Sequence, residues 1–467
     1  MIKNFYDIQE DDIFDYCVIG SGPAGITLSL KLAKNNKKIL LVEAGGINIT
    51  QESQMLYEGQ VIGDEYLALD TCRLRYFGGT SNHWSGVCRT FDASDFDSKE
   101  LFKENKWPIN KSNIDKYIDE ASNILEIPKI PKDMKSLSQD IKTIHFVNSP
   151  PVRFKDKYFN EINDSKNIFL SLNTNCINLE TNGHSITGAI LKNRIQKKIK
   201  SKNFILATGG IENSRLLLWS NELSNYQVVK NYKSLGRYWM DHPNFDVGEA
   251  VMFNKSKHDY FSNYFAITDK KKADLGILNA RIGFSENNRS LKQSILDLKC
   301  MAPKLSNFLE FNQDIVCGSN IRAVWEQEPT LNNRIELSKE IDLIGVPKTN
   351  LYWKKTKKDI NTIRKTLETF ALSFVEQKLG RIKIYPFIES GEFPSNHSLA
   401  SSHHIGGTRM SNDSNLGVVD ENCKVHGQSN LYIMGSSIFP TGGYTNPTLP
   451  IIQFALRLSD HLLNKEI

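Results

Sequence analysis

Two stretches in the last quarter of the chain carry the residue types that chemistry on a hydroxyl group needs. The first, Ser401-Ser402-His403-His404-Ile405-Gly406-Gly407-Thr408-Arg409-Met410, sets a histidine before a double-glycine turn. The second passes through Gly435-Ser436-Ser437 and continues to Thr445-Asn446-Pro447-Thr448. Oxidising an alcohol removes a hydride and a proton, and the proton needs a base. Histidine, with an ordinary pKa of about 6.5, suits that task near neutral pH. Asparagine cannot take a proton, so the pair divides its work: His404 carries the proton and Asn446 orients the hydroxyl. Each piece alone also reads as a turn or a helix cap. Together they point to a proton-handling pair held against a cofactor bound by the other end of the chain. His403 is expected to satisfy backbone carbonyls near the turn, and Arg409 to sit in an ordinary salt bridge.

The elements that would position this pair begin at the N-terminal end. Tyr16-Cys17-Val18-Ile19 is a short apolar run suited to a buried parallel strand. Gly20-Ser21-Gly22-Pro23-Ala24-Gly25 follows, Ile26 to Ala33 reads as a helix, and Lys38 to Val42 as a second strand ending at Glu43. This is a Gly-x-Gly-x-x-Gly unit in its required strand–turn–helix context. Gly20 permits the tight turn, Gly22 lets the backbone approach a pyrophosphate, and Gly25 lets the helix pack on the strand. Glu43 stands about 20 residues on, where a carboxylate accepts ribose hydroxyls. The motif implies a dinucleotide and leaves FAD and NAD both open.

Further along, Ile186 to Leu191 and Gln196 to Lys200 alternate like an exposed hairpin, and Phe204 to Gly210, including Ala207, reads as a buried strand entering a glycine turn. Ile211 to Trp219 continues as a helix, Leu431 to Met434 as another buried strand, and a final helix opens at Asn446. Arg334–Ser338 and Thr349–Trp353 alternate with period two like adjacent strands, and 359–374 has helical spacing. The expected fold is α/β: a Rossmann-type dinucleotide domain assembled from residues 1–95, 166–245 and 396–467, plus an α+β substrate domain with an antiparallel sheet from 96–165 and 246–395.

Bulk properties narrow the class. A chain of 467 residues is too long for one simple core. A net charge of +5, with basic runs broken by asparagine and apolar residues, argues against nucleic acid as a partner. The seven cysteines are scattered without a Cys-x-x-Cys, which argues against a disulfide framework, a zinc ribbon and a dithiol centre. No metal is expected. No run approaches the roughly 20 apolar residues that span a bilayer, and no signal peptide is evident, so a cytoplasmic protein is expected.

The N-terminal fingerprint, Ala207-Thr208-Gly209-Gly210, His404-x-x-Gly407-Thr408 and Asn446-Pro447-Thr448 stand in the order seen in the glucose–methanol–choline (GMC) oxidoreductases, which the chain resembles from residue 15 to about 463. Arg75 to Trp84, Lys106-Trp107-Pro108-Ile109 and Gly209 to Ser214 resemble the sugar-oxidising, pyranose-oxidase-like members. The resemblance implies FAD as cofactor and oxidation of a sugar or glycoside hydroxyl by hydride transfer to flavin N5. It implies oxygen, a quinone or a redox protein as electron acceptor. It also implies that the loop Gly78-Gly79-Thr80-Ser81-Asn82-His83 lies over the flavin, with Gly79, Asn82 and His83 as cofactor residues. Some members tether FAD covalently through the matching histidine and others hold it non-covalently. Gly435 and Ser436 fall where the family meets the pyrophosphate and ribityl chain, and Pro447 and Thr448 where a helix N-terminus faces the flavin's pyrimidine edge. Two other readings stay open: a lyase with a structural flavin, and an NAD-dependent alcohol dehydrogenase.

Overall fold

The computed structural model describes residues 5–9, 12–97, 106–131, 136–252, 264–286, 319–394 and 400–465. Its central element is a seven-stranded sheet. The apolar run after the polar N-terminus forms the Ile13–Ile19 strand, flanked in parallel by Ile39–Val42 on one side and Gln196–Leu206 on the other. Ile168–Ser171 extends the sheet beyond Ile39–Val42, and Leu431–Ile433 pairs in parallel with Phe204–Leu206. Strands buried on both faces explain why these segments are near-continuous Ile, Leu, Val and Phe rather than alternating. Helices Pro23–Lys34 and Thr448–Asn464 pack on each other against this sheet, so the first and last elements meet.

The hairpin Ile186–Lys192/Gln196–Leu206 departs from its sequence expectation. In its first strand Ile186, Ala189, Ile190 and Leu191 are buried, whereas Gln196 and Lys200 of the second stay exposed as expected. Its second strand also runs without a break into Phe204–Leu206, giving one 11-residue strand rather than two. Its first half pairs antiparallel within the hairpin and its second half parallel in the central sheet.

A second sheet has six antiparallel strands, in the order Gly380–Ile384, Asn244–Met252, Ser319–Trp325, Ala280–Glu286, Tyr264–Ile267, Ile141–Ile144. The helix Lys357–Glu376 starts at a capping box in which Thr356 and Asp359 satisfy each other's amides. It packs Ile363, Leu367, Phe370 and Phe374 against Phe265, Ile282, Phe284 and Trp325 of the sheet. Arg334–Ile341 and Pro347–Trp353 pair as the period-two pattern predicts, and Gly59–Gly63 from the N-terminal segment joins them in parallel. Residue 396, at the expected domain junction, and Cys300 and Cys317 lie outside the described residues. Among the described residues no helix is long and apolar enough to cross a membrane, and none form a His/Cys/Asp/Glu cluster able to hold a metal.

Candidate active site

A cavity of about 520 Å³ runs from the Gly20–Gly22 turn to the histidines and Asn446. The glycine turn forms its floor. Gly20 has φ +107°, and a Cβ there would lie 2.4 Å from the Ala207 carbonyl oxygen, so only glycine fits between the two strands. A Cβ on Gly25 would lie 1.9 Å from the Gly20 oxygen, whereas at Gly22 nothing stands within 4 Å. The turn is therefore packed tightly behind and open in front. Gly22 at the helix N-cap supplies no capping side chain, which leaves first-turn amides free for an anion. Glu43 is buried, accepts hydrogen bonds from Ser21 N (3.1 Å), Ser21 Oγ (2.6 Å) and Gly45 N (2.8 Å), and lines the cavity.

Gly79, His83, Ala207, Gly435, Ser436, Pro447 and Thr448 also line the cavity, as do His404 and Asn446. Two predicted residues stand behind it. Gly25 serves helix–strand packing, and Asn82 spends its amide on the loop, donating to Phe77 O (2.9 Å) and accepting from Lys155 N (3.4 Å). His83 is exposed, its pKa lowered by partial burial and by the charge of Arg153, which favours the neutral imidazole. Asn213 ties the two strand ends together: its Oδ1 accepts from Thr208 N and Oγ1, and its Nδ2 donates to Met434 O and Ser437 Oγ.

Toward the histidines the backbone of His404 is pinned by Ser436 Oγ donating to its carbonyl (2.6 Å), and the bridge between Ile405 and Met240 fixes the next residue. The His404 ring lies beside Trp239, with Nε2 3.5 Å from Cys72 Sγ. Burial and then the Arg73 charge push its pKa down to about 3, so the ring is neutral. Burial raises the Cys72 thiol to about 11, which keeps it protonated.

His403 departs from its expectation. Ser402 has φ +56°, and beyond it His403 also lines the cavity, with another histidine as its side-chain partner rather than a carbonyl. His242 Nε2 lies 2.9 Å from the Gly443 carbonyl, which can only accept, so that nitrogen carries the proton. His242 is pushed down to about 4 by burial and then by the Arg281 charge, so it is neutral and its Nδ1 is a bare acceptor. The 2.8 Å contact between the two Nδ1 atoms then takes its proton from His403. The same logic leaves His403 Nε2 as a lone pair. Asp241 braces both histidines, accepting from the His242 and His403 backbone amides and from Tyr66 Oη (2.5 Å). Arg409 is not part of the lining: it stacks on Tyr238 and donates to Leu416 O.

Sequence reasoning also passed over Tyr57, Arg73, Arg75 and Glu212 along the cavity wall. Arg73 stacks on Tyr57 and pairs with Glu212 at 2.8 Å. Both arginines lie just before the glycine loop, and Arg75 opens the segment that resembles the sugar-oxidising members. Asp241, His242 and Arg281 had no such signal.

Residues 329–455 match the GMC oxidoreductase family. The large subunit of fructose dehydrogenase from Gluconobacter japonicus is 26% identical over 282 residues, covering 57% of this chain and 48% of that protein. This match therefore spans about half the relative's length. Paromamine 6'-oxidase from Streptomyces fradiae is 26% identical over 272 residues, 56% of this chain and 46% of that one. The 5-(hydroxymethyl)furfural oxidase of Methylovorus sp. (strain MP688) is 20% identical and aligns over 97% of this chain and 99% of its own. Among solved structures, pyridoxine 4-oxidase from Mesorbium loti shares the fold with a TM-score of 0.60 at 14% identity, over 96% of this chain and 99% of that chain. Formate oxidase follows at 0.57 and 17%, over 98% and 99%.

The cofactor of this family is FAD, and the residues present fit it. The glycine floor would hold its pyrophosphate, Glu43 its ribose, and the loop from Gly79 to His83 together with Ser436, Pro447 and Thr448 its flavin half.

Proposed function

We propose that this chain is an FAD-dependent oxidoreductase that oxidises a CH–OH group, a secondary hydroxyl of a pyranose sugar or glycoside, to the ketone. The observation that carries this reading is a single cavity lined at one end by the dinucleotide floor and at the other by His404, His403 and Asn446. The names of the fructose and paromamine relatives support a sugar-like substrate. Bound FAD would supply the hydride acceptor, at N5. His404, held neutral, takes the hydroxyl proton. Asn446, which cannot act as a base, holds the hydroxyl oxygen and so directs its proton toward the histidine. The helix opening at Pro447-Thr448 adds a positive backbone terminus at the same end. The electron acceptor is oxygen, a quinone or a redox protein. A cytoplasmic location belongs to the same proposal and is supported by the unbridged Cys17, Cys72, Cys88, Cys176 and Cys423.

One observation favours a second assignment on the same chemistry. The bond chain through His242 leaves His403 Nε2 as a lone pair, which makes His403 the rival base. Anaerobic titration of the yellow protein with pyranoses, fructose and 5-(hydroxymethyl)furfural tests the activity. Bleaching of the flavin by a sugar supports it, and cleavage of substrate without bleaching would establish the lyase reading instead.

A further inference from the structure

We infer that Arg281 is the positioning residue that decides which end of the Asn446 amide meets the substrate, and that it places a positive charge behind that contact. The inference rests on the hydroxyl-oxidation reading above. Along the Ala280–Glu286 strand, Ala280, Ile282 and Phe284 pack toward the Lys357–Glu376 helix, so Arg281 emerges on the opposite face. There its Nη2 donates to Asn446 Oδ1 at 2.9 Å. Asn446 Nδ2 in turn donates to Val87 O, also at 2.9 Å. Flipping the amide would set donor against donor at the guanidinium and acceptor against acceptor at Val87, so its orientation is dictated by its partners. The one donor the amide has left for a hydroxyl oxygen in the cavity is its second N–H. A hydroxyl oxygen that accepts this N–H must aim its own proton elsewhere, toward a histidine.

The guanidinium is itself unusual. It is buried against the rings of Phe146 and Tyr264, 4.2 Å and 5.2 Å from their centroids. Its Nε and Nη1 have no hydrogen-bond partner among the described residues. Its cationic neighbour Arg89 is paired with Asp92 at 2.6 Å, whereas no described carboxylate pairs with Arg281. Burial lowers its pKa to about 10, which leaves it a cation at neutral pH. A desolvated charge without a counter-ion is costly for a fold to keep. It is useful where negative charge develops only during reaction, as on a hydroxyl oxygen losing its proton.

The test compares FAD-loaded wild type, Arg281→Met and Arg281→Lys in two measurements. One is the affinity for sulfite, an anion that adds to flavins and needs no alcohol substrate. The other is the anaerobic flavin reduction rate with the sugar that bleaches wild type fastest. Arg281→Met should bind sulfite about 10-fold more weakly and be reduced about 10²-fold more slowly, with substrate Kd within about 3-fold, as expected for a preorganised donor. Arg281→Lys should keep sulfite affinity but lose about 10-fold in rate, because an ammonium keeps the charge without the planar fork. Sulfite affinity and reduction rate both within 2-fold of wild type in Arg281→Met would overturn the inference. If that variant fails to retain FAD, Arg281→Lys carries the test, and an unchanged rate in it overturns the inference. A wild-type flavin that no sugar reduces would sink the oxidoreductase reading instead, and the sulfite comparison would still report on Arg281.

Discussion

The two ends of the cavity are built in opposite ways. The dinucleotide end is made by backbone coming close to backbone: Gly20 against Ala207, Gly25 against Gly20, Gly79 against Gly22. Its specificity lies in missing side chains, with the Glu43 carboxylate beside them. The reaction end is made of side chains holding side chains: His242 with His403, Arg281 with Asn446, Asp241 with Tyr66. The first should fail when atoms are added, and the second when atoms are removed or protonated.

The largest effect expected from that contrast is at Gly25. Gly25→Val would set a Cβ 1.9 Å from the Gly20 oxygen and should abolish FAD loading, read as loss of the visible flavin spectrum in purified protein. A yellow Gly25→Val protein would show that the floor yields more than its contacts imply. At the other end, His404→Ala should keep its FAD and be reduced by substrate about 10²–10⁴-fold more slowly. The same measurement on His403→Ala ranks the two histidines: a deeper loss there would move the base to His403.

Protonation gives a smaller, graded effect. His242 is held at about 4 in the folded protein, below the ordinary 6.5. Its depressed pKa therefore contributes stability above pH 6.5 that is lost as pH falls from there toward 4, at about 1.4 kcal/mol per unit at most. The melting temperature should drop across that window, and His242→Asn should flatten the slope; an equally steep slope in the variant would assign it to other groups. The smallest expected effect is at His83. His83→Ala should change the reduction rate by only a few fold, while acid precipitation should move all colour to the supernatant. Colour already free in acid-treated wild type would rule out a covalent tether there.

How much was legible in advance follows the same division. The Gly20–Gly25 turn, Glu43, Ala207 and the Gly435-Ser436 strand end all line or support the cavity, because a glycine-dependent turn leaves its mark in the sequence where it occurs. Asn82 was placed in the right loop but faces its own backbone, since spacing locates a residue without saying which way its amide points. His403 read as a structural histidine because its partner, His242, lies 161 residues away. The 186–192 strand looked exposed from its alternation, yet Ile186, Ala189 and Leu191 join the main core, whereas Gln196 and Lys200 of the second strand stay exposed.

Sequence alone therefore located the glycine turn, set the order of the motifs and brought out His404 and Asn446, which line one cavity. These rest on local constraints: a positive φ, a strand–turn–helix unit, a proline opening a helix. Which atoms of those residues are available depends instead on contacts made across the fold. The Asn446 amide is oriented by an arginine 165 residues away and by the Val87 carbonyl 359 residues away. A hydrogen-bond direction depends on both of its partners, and here chain folding alone brings them together.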